Sequence, residues 1–108
     1  AMSNFSYQFT HVCFHGHTHV PRVFARGARV KEVPADSIEI EDDLKYFINI
    51  GSVGQPRDGD WRACYAIYDL PARLVTFRRI DYDIETTQKK IIEGGLPHSL
   101  AERLADGR

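Results

Sequence analysis

The sequence of 108 residues has few cysteines and no long apolar run. Only Cys13 and Cys64 occur, and no segment approaches the roughly 20 apolar residues that cross a bilayer. No charged segment followed by an apolar run opens the chain, so neither secretion nor a disulfide framework is favoured. We therefore expect a soluble cytoplasmic protein with free thiols.

The chain also lacks an excess of charge of either sign. It has 14 Lys and Arg residues against 15 Asp and Glu residues. No large basic field is available to hold nucleic acid or an anionic membrane surface. At this length the chain is one domain or part of one, and recognition of a partner is expected to be local.

Short β-rich segments fill most of the sequence. Apolar or alternating stretches between Gly and Pro turns predict strands near residues 12–14, 23–25, 30–33, 38–40, 46–50, 63–68 and 74–80. Residues 51–60 are dense in turn formers, and this predicts a long loop. Loops of this length are often functional.

The period changes to that of a helix in the tail, residues 83–108. Asp83 is a suitable N-cap, and the glycine pair at 94–95 predicts the end of a first short helix. Pro97 suits the first turn of a second one. With residues 1–82 β-rich, the predicted fold class is α+β, with mostly antiparallel strands followed by two short helices.

Three of the five histidines lie within FHGHTHVP, residues 14–21. They are His15, His17 and His19, and imidazole is the commonest metal ligand among side chains. Residues i and i+2 of an extended segment project to the same side. This spacing predicts that His17 and His19 share one metal site while Thr18 faces away.

The neighbouring residues favour this interpretation over that of ordinary polar loop residues. Gly16 permits a tight turn or a close backbone approach, and Pro21 stiffens the exit from the loop. Cys13 lies in an apolar run and is predicted to be a small core residue, with His11 outside the site. For His15, a role in supporting the ligands and no role at all remain equally open.

Two imidazoles do not complete a metal site. Structural zinc takes four ligands, often with paired cysteines, and the two cysteines here have no Cys-x-x-Cys spacing. Catalytic two-metal centres use carboxylates as well. Asp58 and Asp60 lie in the glycine-rich loop and are predicted to be turn residues.

Two motifs together resemble the C-terminal signature of the calcineurin-like metallophosphoesterases. Residues 16–19, GHTH, follow an apolar strand like the G-H-x-H metal motif, and residues 49–57, NIGSVGQPR, are similar to the N-P-G-S loop. The closer likeness is to the compact bacterial and archaeal branch described as phosphodiesterase or diadenosine-tetraphosphatase-like. Ile50 stands where the family usually has proline, which should affect loop stiffness more than ligand identity.

This resemblance implies that residues 1–108 are the C-terminal segment of one α/β/β/α sandwich domain whose N-terminal segment is absent. His17 and His19 would each bind a different ion of a two-metal centre, with manganese, iron, zinc or nickel as the ions. The family's other ligands come from earlier motifs, which this sequence does not contain. The parent protein would hydrolyse phosphate mono- or diesters, and the isolated chain is expected to be inactive.

The resemblance also nominates residues around the ligands. Ser52 and Arg57 are candidates for contact with a substrate phosphate, although a surface salt bridge is slightly preferred for Arg57. His15 and Asn49 are candidates for supporting the ligands. A lone segment would expose sheet surface, so we expect contact with the missing part of the domain or formation of a homo-oligomer.

Two other functions stay open. A complete, non-enzymatic β-rich domain could bind one metal or none and serve as an interaction module. Phosphate and manganese would then leave its stability unchanged. A small cupin-like metalloenzyme would need a glutamate shortly after the histidines and a later histidine strand. Residues 20–23 contain no glutamate, and His98 falls in the helical tail. The β-lactamase pattern His-x-His-x-Asp-His also fails, because Val20 and Pro21 follow His19.

Overall fold

The computed structural model describes residues 10–108, which form seven strands and two helices. The strands are β1 (Val12–His15), β2 (Arg22–Arg26), β3 (Val30–Val33), β4 (Ser37–Glu39), β5 (Lys45–Asn49), β6 (Ala63–Asp69) and β7 (Leu74–Ile80), and the helices are α1 (Ile84–Glu93) and α2 (His98–Asp106). The predicted α+β class, with strands followed by two helices, is confirmed. Residues 1–9 of the predicted β-rich segment lie outside the described residues.

The strands form two sheets, with the orders β1-β5-β2-β3 and β4-β7-β6. Strand β1 pairs with β5 in parallel, and the other pairs within the described chain are antiparallel. Parallel neighbours end at the same edge of a sheet, and the register places His15 beside Asn49. The loops that follow β1 and β5 therefore lie next to each other.

Alternating apolar residues of both sheets form the core. Val23 and Ala25 of β2 are buried together with Ile48 of β5 and Val75 of β7. The predicted alternation at β4 is confirmed, since Ile38 is buried and its neighbours Ser37 and Glu39 are exposed. One face of each sheet thus closes the core, as period-two patterning requires.

Strand β1 is less buried than the sequence predicts. Phe14 is 40% exposed and Cys13 is half-buried, whereas Cys64 is the cysteine that lies in the core. The physical reason is that β1 stands at the edge of its sheet in the described structure, with β5 as its single neighbour. Both cysteines are free thiols, as predicted.

The predicted helix ends are confirmed. The Asp83 carboxylate accepts a hydrogen bond from the Thr86 N–H at 3.2 Å, which caps α1, and Gly94 follows the last turn. Gly107 ends α2 in the left-handed conformation, with φ 68°. No helix in residues 10–108 has the length and hydropathy of a membrane span.

Candidate functional site

The candidate site lies where β1 and β5 end side by side. The chain leaves β1 through residues 16–21 and leaves β5 through residues 50–62, which is the long loop predicted from the turn formers. A cavity of about 630 Å³ opens beside the first loop. Its lining includes His15, His17, Thr18, Arg22, Phe47 and Asn49.

The segment from His17 to His19 is not extended, contrary to the prediction. His17 has φ 82° and His19 has φ 61°, both in the left-handed region that residues other than glycine rarely adopt. Thr18 does not face away, because its Oγ1 lies 2.7 Å from Asn49 Nδ2. Gly16 has no positive φ and has room for a Cβ, so this turn does not require glycine there. The two histidines as metal ligands stay a prediction.

The side chain of Asn49 connects the two loops. Asn49 is 2% exposed, and its Nδ2 donates to the Gly16 carbonyl at 3.1 Å and to Thr18 Oγ1 at 2.7 Å. Its Oδ1 accepts from the Gly51 N–H at 2.9 Å. Left-handed residues cost about 1–3 kcal/mol each and persist only where the surroundings fix them, and Asn49 provides such fixing. Its role in supporting metal ligands stays a prediction.

His19 is held through both its backbone and its side chain by the loop after β5. Its Nδ1 lies 2.8 Å from the Gln55 carbonyl oxygen, and its own carbonyl accepts from the Arg57 N–H at 3.0 Å. Because a carbonyl only accepts, Nδ1 is the donor, and Nε2 is the nitrogen that carries the lone pair whenever the ring has a single proton. Metal-binding histidines typically have this arrangement, so His19 fits the chemistry of a ligand.

His15 is placed differently from the other two histidines. Its ring stacks on Phe47, with ring centroids 3.8 Å apart and an interplanar angle of 17°. Its Nδ1 lies 3.3 Å from the Gly16 carbonyl, and its buried Nε2 has no partner among the described residues. Burial lowers the pKa of His15, which favours a neutral ring behind the loop.

Ser52 and Arg57 both take part in shaping the loop. Ser52 Oγ accepts from the N–H groups of Gly54 and Gln55, at 3.1 and 2.8 Å. Arg57 donates to Gln55 Oε1 at 3.1 Å, and it forms no ion pair with any carboxylate of residues 10–108, so the preferred salt bridge is not formed there. Contact of either side chain with a phosphate remains a prediction.

Sequence reasoning missed the arginines that hold this loop. Asp58 pairs with Arg79, and Asp60 pairs with Arg62 at 2.8 Å and with Arg79 at 3.8 Å. The hydrogen bond from Arg62 holds the pKa of Asp60 at about 2. The two aspartates therefore lie in the predicted loop and are ion-paired there.

The two predicted ligands are not joined by a third one in the part of the chain that the structure describes. No group of three or more His, Cys, Asp or Glu side chains in residues 10–108 is arranged to hold a metal ion. His11, predicted to lie outside the site, is exposed at the start of β1, with its Nδ1 3.1 Å from the Leu44 carbonyl. Within residues 10–108, His17 and His19 are therefore not part of a complete ligand set.

Replacing Gly51 by alanine is expected to destabilise the loop after β5. Gly51 has φ 78°, and a Cβ there would lie 3.1 Å from Cβ and Sγ of Cys64 and 3.3 Å from Cδ of Pro21. We expect the free energy of unfolding in urea to fall by about 1–3 kcal/mol. Gly54→Ala is the matched control, because Gly54 has neither a positive φ nor an atom within 4 Å of that position. Equal stability of the two variants would contradict the expectation.

Comparison with known proteins agrees with the motifs. No family model matches the chain. The structure is similar to the crystal structure of a metallophosphoesterase from Sphaerobacter thermophilus, with a TM-score of 0.84 and 41% identity, over 98% of this chain and 46% of that one. An uncharacterised protein of Methanocaldococcus jannaschii is 38% identical over 102 residues, which are 94% of this chain and 42% of the relative. The chain spans less than half the length of both.

Proposed function

We propose that this chain is the C-terminal segment of a two-metal phosphoesterase that hydrolyses phosphate mono- or diesters. The observation that carries the proposal is the bond from His19 Nδ1 to the Gln55 carbonyl, which leaves Nε2 of His19, two residues beyond His17, available to a metal. The 41% identity to part of a metallophosphoesterase supports the same assignment. We also propose that the protein is cytoplasmic.

In this proposal His17 and His19 each bind one of two divalent ions. Manganese, iron, zinc or nickel suits imidazole together with carboxylate ligands. Such ions, when bound, neutralise charge on the phosphoryl oxygens and orient the ester for in-line attack. The chain's own contribution is to hold its two imidazoles in place through Asn49 and the loop after β5. Contact of Ser52 and Arg57 of that loop with the phosphate is part of the same proposal.

The remaining ligands are proposed to come from the part of the domain that precedes this chain. In the described structure β1 pairs only with β5 and β6 only with β7, so these two strands are edges of their sheets, as β3 and β4 are at the opposite ends. Phe14 of β1 contacts Tyr68 of β6, with ring centroids 5.6 Å apart, so the two edges lie along one side of the sandwich. Tyr65 and Ile67 of β6 are 37% and 47% exposed.

Exposed apolar strand edges attract further strands. The exposed edges of β1 and β6 therefore support a domain that residues 1–108 only partly fill. The N-terminal segment is the proposed partner, and in its absence the same edges favour a homo-oligomer of this chain.

The test compares the isolated chain with the parent protein, meaning the chain joined to the preceding part of its domain. With Mn²⁺ and a chromogenic phosphodiester, we expect no hydrolysis by the isolated chain above that of its His17→Ala/His19→Ala variant. The parent protein should hydrolyse the ester and lose activity on metal removal. A purified, folded parent without activity in manganese, iron, zinc or nickel would contradict the proposal.

The second candidate is a complete, non-enzymatic β-rich domain that binds one metal or none and recognises a partner. It is favoured by the lack of a third metal-binding group in residues 10–108. In that case the isolated chain is a folded monomer whose melting temperature does not change when manganese or phosphate is added. Hydrolysis that depends on both His17 and His19 in the parent would exclude it.

A further inference from the structure

The loop that contacts His19 is itself anchored a few residues further on. Gln55 and Arg57 form the two hydrogen bonds to His19, and Asp58 is the next residue along the chain. Arg79 lies on β7, whose seven residues all pair with β6. A fixed Asp58 therefore limits the positions that the preceding peptide groups can take.

Arg79, Asp58 and Asp60 form what we name the Arg79 clamp. Arg79 bonds to both oxygens of Asp58, and its Nε lies 3.8 Å from Asp60 Oδ2. Its Nη1 is also 3.4 Å from the Arg62 carbonyl. The side chains of Arg79 and Asp58 are only 19% and 20% exposed, so the pair is less screened by water than a surface ion pair.

The end of α2 closes the other side of the same loop. The Gly59 N–H donates to the Gly107 carbonyl at 3.0 Å. A Cβ on Gly107 would lie 2.6 Å from the Asp60 backbone nitrogen, so the two backbones are in direct contact. The loop is therefore held between β7 and α2 immediately beyond the residues that bind His19.

We propose that Arg79 is a positioning residue for the metal ligand His19. By fixing Asp58, the Arg79 clamp keeps the Gln55 carbonyl and the Arg57 N–H in place. Those two groups hold His19 at its left-handed φ of 61° with the proton on Nδ1. The inference rests on the proposed function only in treating His19 as a metal ligand. The effect of Arg79 on the position of the His19 ring can be measured in the metal-free chain.

The test is the tautomer of His19 in the metal-free 108-residue chain, read by long-range ¹H–¹⁵N NMR at about pH 8, where an ordinary histidine is neutral. The wild-type chain should show a single Nδ1–H tautomer and a slowly exchanging Arg57 amide. In Arg79→Met we expect the two ring-nitrogen shifts to move towards their average and the Arg57 amide to lose protection. Arg79→Lys should restore part of both signals, because the charge remains while the two-point contact does not.

Arg78→Met is the matched control, since Arg78 is exposed on the opposite face of β7, across from Tyr65. It should keep the wild-type tautomer. A folded Arg79→Met chain with the wild-type tautomer and a protected Arg57 amide overturns the inference. If Arg79→Met does not fold, the same measurement is made on Asp58→Ala, which removes the other partner of the ion pair and leaves β7 unchanged. An averaged His19 tautomer in that variant supports the inference, and the wild-type tautomer overturns it.

Failure of this inference and failure of the proposed function are distinguishable. The tautomer measurement needs neither metal nor substrate, so it stands whether or not the parent is an enzyme. In an active parent, Arg79→Met should raise the Mn²⁺ concentration for half-maximal activity about tenfold, the usual effect of losing a group that orients a ligand. Arg78→Met should leave that concentration unchanged.

Discussion

Replacing His19 by alanine is expected to lower metal-dependent ester hydrolysis by the parent protein more than about 100-fold, because loss of a group that merely orients a ligand already costs about 10- to 100-fold. His17→Ala should have an effect of the same size. The fold should survive both changes, since neither side chain belongs to the buried core. The measurement is kcat and KM over a Mn²⁺ titration, with the melting temperature recorded beside it.

Two other histidines provide the controls for that experiment. His98 is exposed at the start of α2, and His11 is exposed before β1. Alanine at either position should leave activity within about twofold, because surface substitutions away from a site have small effects. The activity of His15→Ala should lie between that of the His17 and His19 variants and that of the His11 and His98 variants, because His15 stacks on Phe47 next to the ligand loop. Activity of His19→Ala within about tenfold of wild type would show that His19 is not a ligand.

The strands were predictable where their signal is local. The hairpin of β6 and β7 follows from two β-rich segments across a proline-containing break, and its turn is closed by the Asp69 carboxylate, which accepts from the Ala72 N–H at 3.1 Å. The helix ends at Asp83 and Gly107 follow from cap chemistry in the same way. Each of these features is decided by residues close in sequence.

The burial of β1 was not predictable, because it depends on which strands lie beside it. Periodicity gives an apolar strand at residues 12–14 but does not say that β5, more than thirty residues later, becomes its parallel partner. That pairing also places Asn49 beside His15 and so joins the two loops of the site. Non-local pairing of this kind leaves no mark in a short window of sequence.

The candidate site, too, could be predicted from the sequence only in part. The motif residues His17 and His19 stand out in the sequence, yet their segment is not extended: both have a positive φ. Hydrogen bonds hold Thr18 to Asn49 and His19 to Gln55, more than thirty residues later, and no short window of sequence contains them. Arg79 was missed because an arginine in a hairpin normally faces water. The period of two along a strand could have identified it, because Arg79 shares the inward face of β7 with Val75 and Phe77. A charged side chain on that face needs a partner of opposite charge.

Replacing Asn49 by leucine should be the most damaging single change to the stability of the site. Leucine has a similar size but makes none of the three hydrogen bonds of Asn49, so Thr18 Oγ1 and the Gly51 N–H lose this partner and the Gly16 carbonyl keeps only its contact with His15 Nδ1. We expect the free energy of unfolding to fall by about 2–4 kcal/mol, since unpaired buried polar groups carry the full cost of desolvation. Urea denaturation of the 108-residue chain measures it.

Two graded variants separate the bonds of Asn49. Thr18→Val removes one acceptor at the loop surface and should cost about 1 kcal/mol. Asn49→Asp keeps the acceptor for the Gly51 N–H but removes the donor to both the Gly16 carbonyl and Thr18 Oγ1, so it should destabilise the chain more than Thr18→Val does. If Asn49→Leu were no less stable than Thr18→Val, the link between the two loops would contribute little to the fold. His17 and His19 would then have to be held in place by the loop after β5 alone.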